Sequence, residues 1–240
     1  MRYETAAAFR AALEARLAHR SANSGEAIGR LRKRVVFERF LSRLQKSVPG
    51  KWVLKGALAI EYRIGSRART TMDADLSGWR EAEQATAAML TAATSNQPDH
   101  FTFRIERVEQ QLEAGALRFR LHAELAGRLF DTVIVDVGVG SLELFEPELR
   151  QGPGLLEFAG IPAAEIPVQR VEQQIAEKLH AYNATLRWRT SEQPAEGSGR
   201  SLPDRAHRGA LQGSTGHRLG QDLPASWDPR PPAEISLTTR

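Results

Sequence analysis

Asp73 and Asp75, two aspartates separated by a single residue, are the residues of this chain whose types and spacing most suggest chemistry. On a β-strand, side chains at positions i and i+2 project from the same face, so the two carboxylates would lie side by side. Hard divalent cations prefer oxygen ligands, and Mg²⁺ usually takes one or two protein carboxylates together with water and substrate phosphates. Such a pair is common by chance, so its surroundings must decide whether it is functional.

Further residues could complete a site of this kind. Asp136 lies in the apolar strand predicted at 130–139. A carboxylate buried there must be neutralised, paired or bound to a metal, so a structural salt bridge and a metal ligand are both open readings. Lys178, at the edge of an apolar helical stripe, either extends to water or points into a cleft as a phosphate ligand. Lys55 and Gly56 lie at the start of a predicted helix, where backbone N–H groups can donate hydrogen bonds to a phosphate.

Other polar residues support two interpretations each. Ser66 and Thr71 either bind phosphate through their hydroxyl groups or cap a turn. The net charge is +4, and much of the positive charge lies early in the chain. A basic cluster there is either a solvated helix face or a contact surface for an RNA backbone. The cluster consists of Arg30, Arg32, Lys33 and Arg34.

The spacing of apolar residues predicts the elements that must position these groups. The predicted helices cover 3–20, 24–47, 56–64, 81–94 and 171–186. The predicted strands cover 52–54, 71–76, 101–106, 117–125 and 130–139. We therefore divide the chain into an N-terminal helical segment at 1–48, a core at 49–186 and an irregular tail at 187–240, with Asp136 able to lie beside the strand that carries Asp73 and Asp75.

Composition narrows the class of protein. With 41% apolar residues and 240 residues in all, the chain can bury a sizeable core. The absence of cysteine excludes disulfides, thiolate metal sites and cysteine nucleophiles, and it agrees with a reducing compartment. No stretch approaches the roughly 18 to 20 apolar residues that span a bilayer, and the N-terminus has no signal-peptide core. The sequence thus predicts a soluble, cytoplasmic protein without a membrane partner.

Four blocks of sequence, taken in order, resemble the AbiEii/AbiGii toxin family of nucleotidyltransferases. They lie at 54–59, 67–76, 135–138 and 177–182. The resemblance implies an α+β, polymerase-β-like nucleotidyltransferase fold, in which a mixed sheet with flanking helices presents carboxylates to Mg²⁺ or Mn²⁺.

The resemblance also implies roles for individual residues. Asp73, Asp75 and Asp136 would be the catalytic carboxylates that hold the metal. Lys178 would be catalytic by neutralising charge on the nucleotide phosphates. The nucleoside triphosphate would be bound by Lys55, Gly56, Ser66, Thr71 and Lys178. The family setting implies an RNA acceptor, with tRNA as one candidate, and a cognate antitoxin as partner.

The C-terminal region departs from the family. After the helix of Lys178 we expect a Ser-Ser-Arg-Leu-Lys-Asp-Leu-Val-Asp-Leu block, and instead the chain from Asn183 onward is rich in Gly, Pro, Ser and Arg. It holds half of the twelve prolines. When suitable synonymous codons for 183–205 are read one nucleotide later, they encode the missing block. The pattern predicts a frameshift near Tyr182 and Asn183, and it predicts that the apolar stripe of the 171–186 helix is left exposed.

Three functions follow from these observations. The first is a metal-dependent nucleotidyltransferase toxin that transfers a nucleotide from a nucleoside triphosphate to RNA. The second is a catalytically impaired remnant that keeps the fold and binds nucleotide or antitoxin. The third is an RNA-binding module that uses the basic N-terminal helices.

Overall fold

The computed structural model describes residues 1–65, 71–108, 116–140 and 146–191, with side chains described as far as residue 183. All ten predicted elements are present, with ends that differ by a few residues. The structure adds two short strands that the sequence pattern did not predict, Glu148–Gln151 and Glu165–Val168. The helices are α1 (Ala6–Ser24), α2 (Ile28–Ser47), α3 (Gly56–Ile64), α4 (Ala82–Thr94) and α5 (Val171–Ser191). The strands are β1 (Val53–Lys55), β2 (Asp73–Trp79), β3 (Phe101–Val108), β4 (Leu117–Leu125), β5 (Arg128–Val139), β6 (Glu148–Gln151) and β7 (Glu165–Val168).

The seven strands form one mixed sheet in the order β3-β4-β5-β2-β1-β7-β6. β2 runs parallel to β5, and β1 runs parallel to β7. The other neighbouring strands are antiparallel. The predicted α+β class with a mixed sheet is therefore confirmed, and β2 and β5 are direct neighbours.

The two faces of the sheet differ in character. Along β5, Val133, Val135 and Val137 are buried, whereas Ile134 and Asp136 are partly exposed. This alternation is the expected result of a period of two residues in a strand with one apolar face. The apolar face packs against α1, α2 and α4 in a single hydrophobic core, so the other face is left for polar side chains.

The N-terminal helices belong to that same core. Phe9 and Leu13 of α1, and Phe37 and Phe40 of α2, are fully or almost fully buried in it. Residues Met1–Gln193 form one compact unit, which includes the N-terminal helical segment predicted at 1–48. The predicted tail at 187–240 lies almost entirely outside the described residues. Among the helices that the structure describes, none is long and apolar enough to cross a membrane.

The basic cluster of α2 has a structural role. Arg34 is 7% exposed, and its partner Glu61 lies on α3, so this pair ties α2 to the helix that starts beside the aspartates. The geometry favours internal pairing over the RNA contact that the charge pattern suggested, because each of the four side chains already faces a carboxylate. The pairs are Arg30 with Glu26, Arg32 with Glu14, Lys33 with Asp131, and Arg34 with Glu26 and Glu61.

Candidate active site

The three aspartates meet on the polar face of the sheet. In the parallel pairing of β2 with β5, Asp75 lies directly opposite Asp136, and Asp73 lies opposite Ile134. Asp73 and Asp75 share a face because they are two residues apart, while Ala74 between them is buried on the other face. The juxtaposition that the sequence predicted for Asp136 is thus present.

Thr71 positions the first of these carboxylates. Its hydroxyl oxygen lies 2.7 Å from Asp73 Oδ1, and the residue is buried. A hydroxyl that donates to a carboxylate fixes the orientation of that carboxylate. The structure therefore engages Thr71 with Asp73, and a role of Thr71 as a phosphate ligand stays a prediction.

Gly56 is required by its closeness to Asp75. It begins α3 with a φ of 65°, in the left-handed region that favours glycine. A Cβ at this position would overlap the carboxylate of Asp75, which belongs to the strand beside β1. The packing thus brings the first turn of α3 directly against the carboxylates, and any larger residue at position 56 would displace one or the other.

Two lysines lie on the α5 side of the site. Lys55 pairs in register with Asp75 across β1 and β2, and its Nζ lies 3.3 Å from Glu177 Oε2 on α5. Lys178 is exposed on α5, and its charge acts on Asp75. Gln174 Nε2 on the same helix donates to the carbonyl oxygen of Gly56 at 2.6 Å, which anchors α5 over the start of α3.

Arg118 is a member of the site that the sequence analysis missed. It lies on β4 directly opposite Asp136 of β5. Its Nε donates to Asp136 Oδ1 and its Nη2 to Asp136 Oδ2, each at 2.7 Å, in a bidentate pair. The alternation of β4, which buries Leu117 and Phe119, placed Arg118 on the polar face and was the signal available in the sequence.

The electrostatics reflect a crowd of like charges. The pKa of Asp75 is raised, first by burial and then by the neighbouring carboxylates of Asp73 and Asp136. Lys55 and Lys178 oppose that shift without cancelling it. The pKa of Arg118 is raised by its hydrogen bond and charge interaction with Asp136. Three aspartates and three cations thus lie close to the start of α3, and the pKa of Asp75 stays raised in spite of the cations.

The carboxylates face one another without forming a closed cage. Within the described ranges, no three acidic or histidine side chains are arranged to hold a metal ion. Asp136 is engaged with Arg118, and Asp73 with Thr71. Ser66, predicted to bind nucleotide, lies outside the described residues.

The fold and the carboxylate-bearing face together define a nucleotidyltransferase-like α+β protein. The family model for the AbiEii nucleotidyl transferase toxins of type IV toxin–antitoxin systems matches residues 39–201. The chain therefore belongs to the AbiEii toxin family, as its four sequence blocks indicated.

Comparison with solved structures supports the fold. The chain is similar to MenT4, a nucleotidyltransferase toxin from Mycobacterium tuberculosis, with a TM-score of 0.53 and 20% identity. The match covers 70% of this chain and 58% of MenT4, so the chain spans less than two thirds of that relative. JHP933 from Helicobacter pylori is 14% identical with a TM-score of 0.42, over 62% of this chain and 56% of that one. No curated protein matches the chain.

Proposed function

We propose that this protein is a metal-dependent nucleotidyltransferase toxin of the cytoplasm that transfers a nucleotide from a nucleoside triphosphate to an RNA acceptor. The observation that carries the proposal is the juxtaposition of Asp73 and Asp75 on β2 with Asp136 on β5, on the polar face of the sheet and beside the start of α3. The family supports a cognate antitoxin as partner.

The residues present suit a divalent cation. Carboxylate oxygens are the donors that Mg²⁺ and Mn²⁺ prefer, and three of them project from adjacent strands. The pKa of Asp75 is raised by burial and, after that, by the carboxylates of Asp73 and Asp136, and a bound cation would offset both effects. Asp73, Asp75 and Asp136 would hold the metal, which when bound supplies charge stabilisation at the attacking and leaving oxygens.

The start of α3 suits the triphosphate. α3 is nine residues long, and Lys55 at its N-cap makes no side-chain hydrogen bond to the helix. The first N–H groups of a helix have no intrahelical acceptor, and together with the helix dipole they favour a phosphate. Lys55 and Lys178 lie on this side of the carboxylates and would neutralise phosphate charge. Gly56 would let the phosphates approach the backbone closely.

Transfer by such a site rests on positioning and electrostatics. Asp136, which lies opposite Asp75, would help to orient the attacking hydroxyl of the RNA, which must reach the phosphorus in line with the leaving pyrophosphate. An RNA 3′ end offers ribose hydroxyl groups as nucleophiles, and tRNA is the acceptor that we propose to test first.

The test is nucleotide transfer to total tRNA. Purified protein is incubated with Mg²⁺, each labelled nucleoside triphosphate and total tRNA, and label on RNA is measured. We expect transfer by the wild type and loss of transfer in Asp73→Ala. Glu106→Gln, a change on β3 away from the carboxylates, is the matched control and should keep full transfer. Equal transfer by Asp73→Ala and the wild type would overturn the proposal.

One observation favours the second candidate, an impaired remnant that keeps the fold. The apolar stripe of α5 is exposed, as the predicted frameshift requires, with side chains 38% to 63% exposed. These residues are Val171, Ile175, Leu179 and Tyr182. We propose that the segment that covers this stripe in other family members is encoded here in the shifted frame after Tyr182.

The nucleotide sequence of the gene tests this second candidate directly. Codons for 183–205 that cannot encode the Lys-Asp-Leu-Val-Asp block in the shifted frame would contradict it. If they can, a frame-restored protein should unfold at a higher temperature than the present chain and transfer nucleotide faster. The basic cluster of α2, by contrast, adds no support for a third, purely RNA-binding function, because its side chains face carboxylates of the same chain.

A further inference from the structure

Arg118 binds Asp136, the third carboxylate of the site, on the side away from Lys55 and Lys178. Both oxygens of Asp136 accept a hydrogen bond from its guanidinium, at 2.7 Å each. The planar fork of an arginine matches a carboxylate in this two-point arrangement. Lys55 and Lys178 lie toward β1 and α5, so the carboxylates have cations on both flanks.

The pairing with Arg118 places a positive charge directly on Asp136. The three aspartates share a face, and both oxygens of Asp136 already accept a hydrogen bond from Arg118. A bidentate guanidinium takes one lone pair on each oxygen of Asp136, and its positive charge repels a divalent cation brought to the same carboxylate. The two cations therefore compete for Asp136.

We propose that Arg118 is an exchangeable counter-ion: it holds Asp136 while the site lacks metal, and it moves from Asp136 to the triphosphate of the substrate when the site is loaded. The inference rests on the proposed function, because it takes the carboxylates as the metal ligands. It adds to that function a substrate-binding residue on β4 and an order of events, in which occupancy of Asp136 frees the arginine.

The exposure of the pair makes the exchange feasible. The side chains of Arg118 and Asp136 are 29% and 18% exposed, so water can replace part of what either loses. The pair of Arg43 with Asp99 has the same bidentate form but is 0% and 2% exposed. Breaking that buried pair would strand a charge in the core, whereas Arg118 would remain at the surface.

Arg118 also lies close enough to the other two aspartates to interact with their charge. Arg118 lies across a single strand from Asp75, and its pKa responds to Asp73 and Asp75 as well as to Asp136. Once those carboxylates are neutralised, the guanidinium requires another anion, and a triphosphate beside Gly56 presents several oxygens in the fork geometry that arginine prefers.

The test measures metal and phosphate binding without any turnover. Mn²⁺ binding to the protein alone is followed by electron paramagnetic resonance, and binding of inorganic triphosphate is measured at saturating Mn²⁺. The variants are Arg118→Gln, Arg118→Lys and the control Arg120→Gln, which lies two residues along the same strand and face and pairs with Glu106. Thermal unfolding checks that each variant is folded.

We expect Arg118→Gln to bind Mn²⁺ about three- to tenfold more tightly than the wild type, because the competitor is gone, and to bind triphosphate about tenfold more weakly. Arg118→Lys should fall between the wild type and Arg118→Gln in both measurements, since lysine keeps the positive charge but lacks the two-point geometry of a guanidinium. It also tests the proposal if Arg118→Gln fails to fold. Arg120→Gln should match the wild type.

Unchanged or weaker Mn²⁺ binding in Arg118→Gln would overturn the proposal, and so would unchanged triphosphate binding. Failure of the proposed function has a different signature. If neither the wild type nor Arg118→Gln binds Mn²⁺ in a manner lost in Asp73→Ala, the metal site itself is refuted. If Mn²⁺ binding tightens as expected but no label reaches RNA, the exchange stands and the RNA acceptor is wrong.

Discussion

Asp99 and Asp75, two carboxylates in different regions of this protein, have opposite kinds of neighbours. Asp99 is buried beneath α2, where Arg43 donates to both of its oxygens at 2.8 Å and 2.6 Å and Arg39 lies 3.6 Å away. Asp75 lies on the polar face of the same sheet, where its close neighbours across the β2–β5 pairing include another carboxylate. One carboxylate is matched by cations, and the other is crowded by its own kind.

The difference separates structure from function. A buried carboxylate with a fully matched partner contributes to the packing, and removing it strands the arginines. A carboxylate whose pKa is raised by burial and by its neighbours costs stability when ionised, and such groups cluster at functional sites. The comparison makes a firm prediction: the first group should matter for stability, and the second for activity.

The largest effect should come from Asp75→Asn. We expect nucleotide transfer to fall by about 10²- to 10³-fold, because a charged ligand is lost from the centre of the site. The unfolding free energy should stay the same or rise, since the change removes repulsion from Asp73 and Asp136. Transfer is measured with labelled nucleotide and tRNA, and stability by urea unfolding. A variant that loses stability instead would place Asp75 with the structural group.

Asp99→Asn tests the structural carboxylate, and its main effect should be a loss of stability. The variant leaves the buried Arg43 without its bidentate carboxylate, and we expect a loss of about 3 to 5 kcal/mol in unfolding free energy. Urea unfolding measures the loss, with the exposed Glu106→Gln as control. A change below about 1 kcal/mol would mean that the pair does not hold α2 to the start of β3.

The pH dependence of stability should separate the two sites further. The folded-state pKa of Asp75 is raised above its ordinary value of 3.8, so the folded protein binds this proton more readily than the unfolded chain does. The stability associated with the protonated form is fully present below the unfolded pKa and is lost as pH rises through the folded one. The unfolding free energy of Asp75→Asn minus that of the wild type should therefore increase with pH across this window, in urea titrations without divalent ions. A difference in unfolding free energy that does not change with pH would show that the pKa of Asp75 is not raised in the folded protein.

The smallest effect should come from Leu179→Ser on α5. Leu179 is 58% exposed, so its loss should change the unfolding free energy by no more than about 0.5 kcal/mol. Leu54→Ala, in a fully buried position of β1, is the matched comparison and should cost about 2 to 5 kcal/mol. A large loss at Leu179 would show that a further part of the chain covers the stripe.

Much of the sheet could be predicted from sequence because its strands alternate cleanly. The strand Leu117–Leu125 matches its predicted bounds, and Asp136 lies beside Asp75 as expected. The helix Gly56–Ile64 also matches its predicted bounds. β6 and β7 were missed because each is four residues long and contains no clear alternation. Their contribution depends on pairing with each other and, through β7, with β1, which no local pattern reveals.

The sequence by itself identified the residues that we propose carry the chemistry, from the spacing of Asp73 and Asp75, the aspartate within an apolar strand and the glycine that starts α3. Only the tertiary structure decided what faces Asp136. The β4–β5 register shifts by one residue at Ala123/Glu124, and beyond that irregularity Arg118 lies opposite Asp136. Without the shift, the hairpin would bring Arg118 opposite Val135, on the apolar face. A one-residue slip exchanges the two faces of a strand, so a local bulge, invisible to the period of the sequence, supplies the arginine of the site.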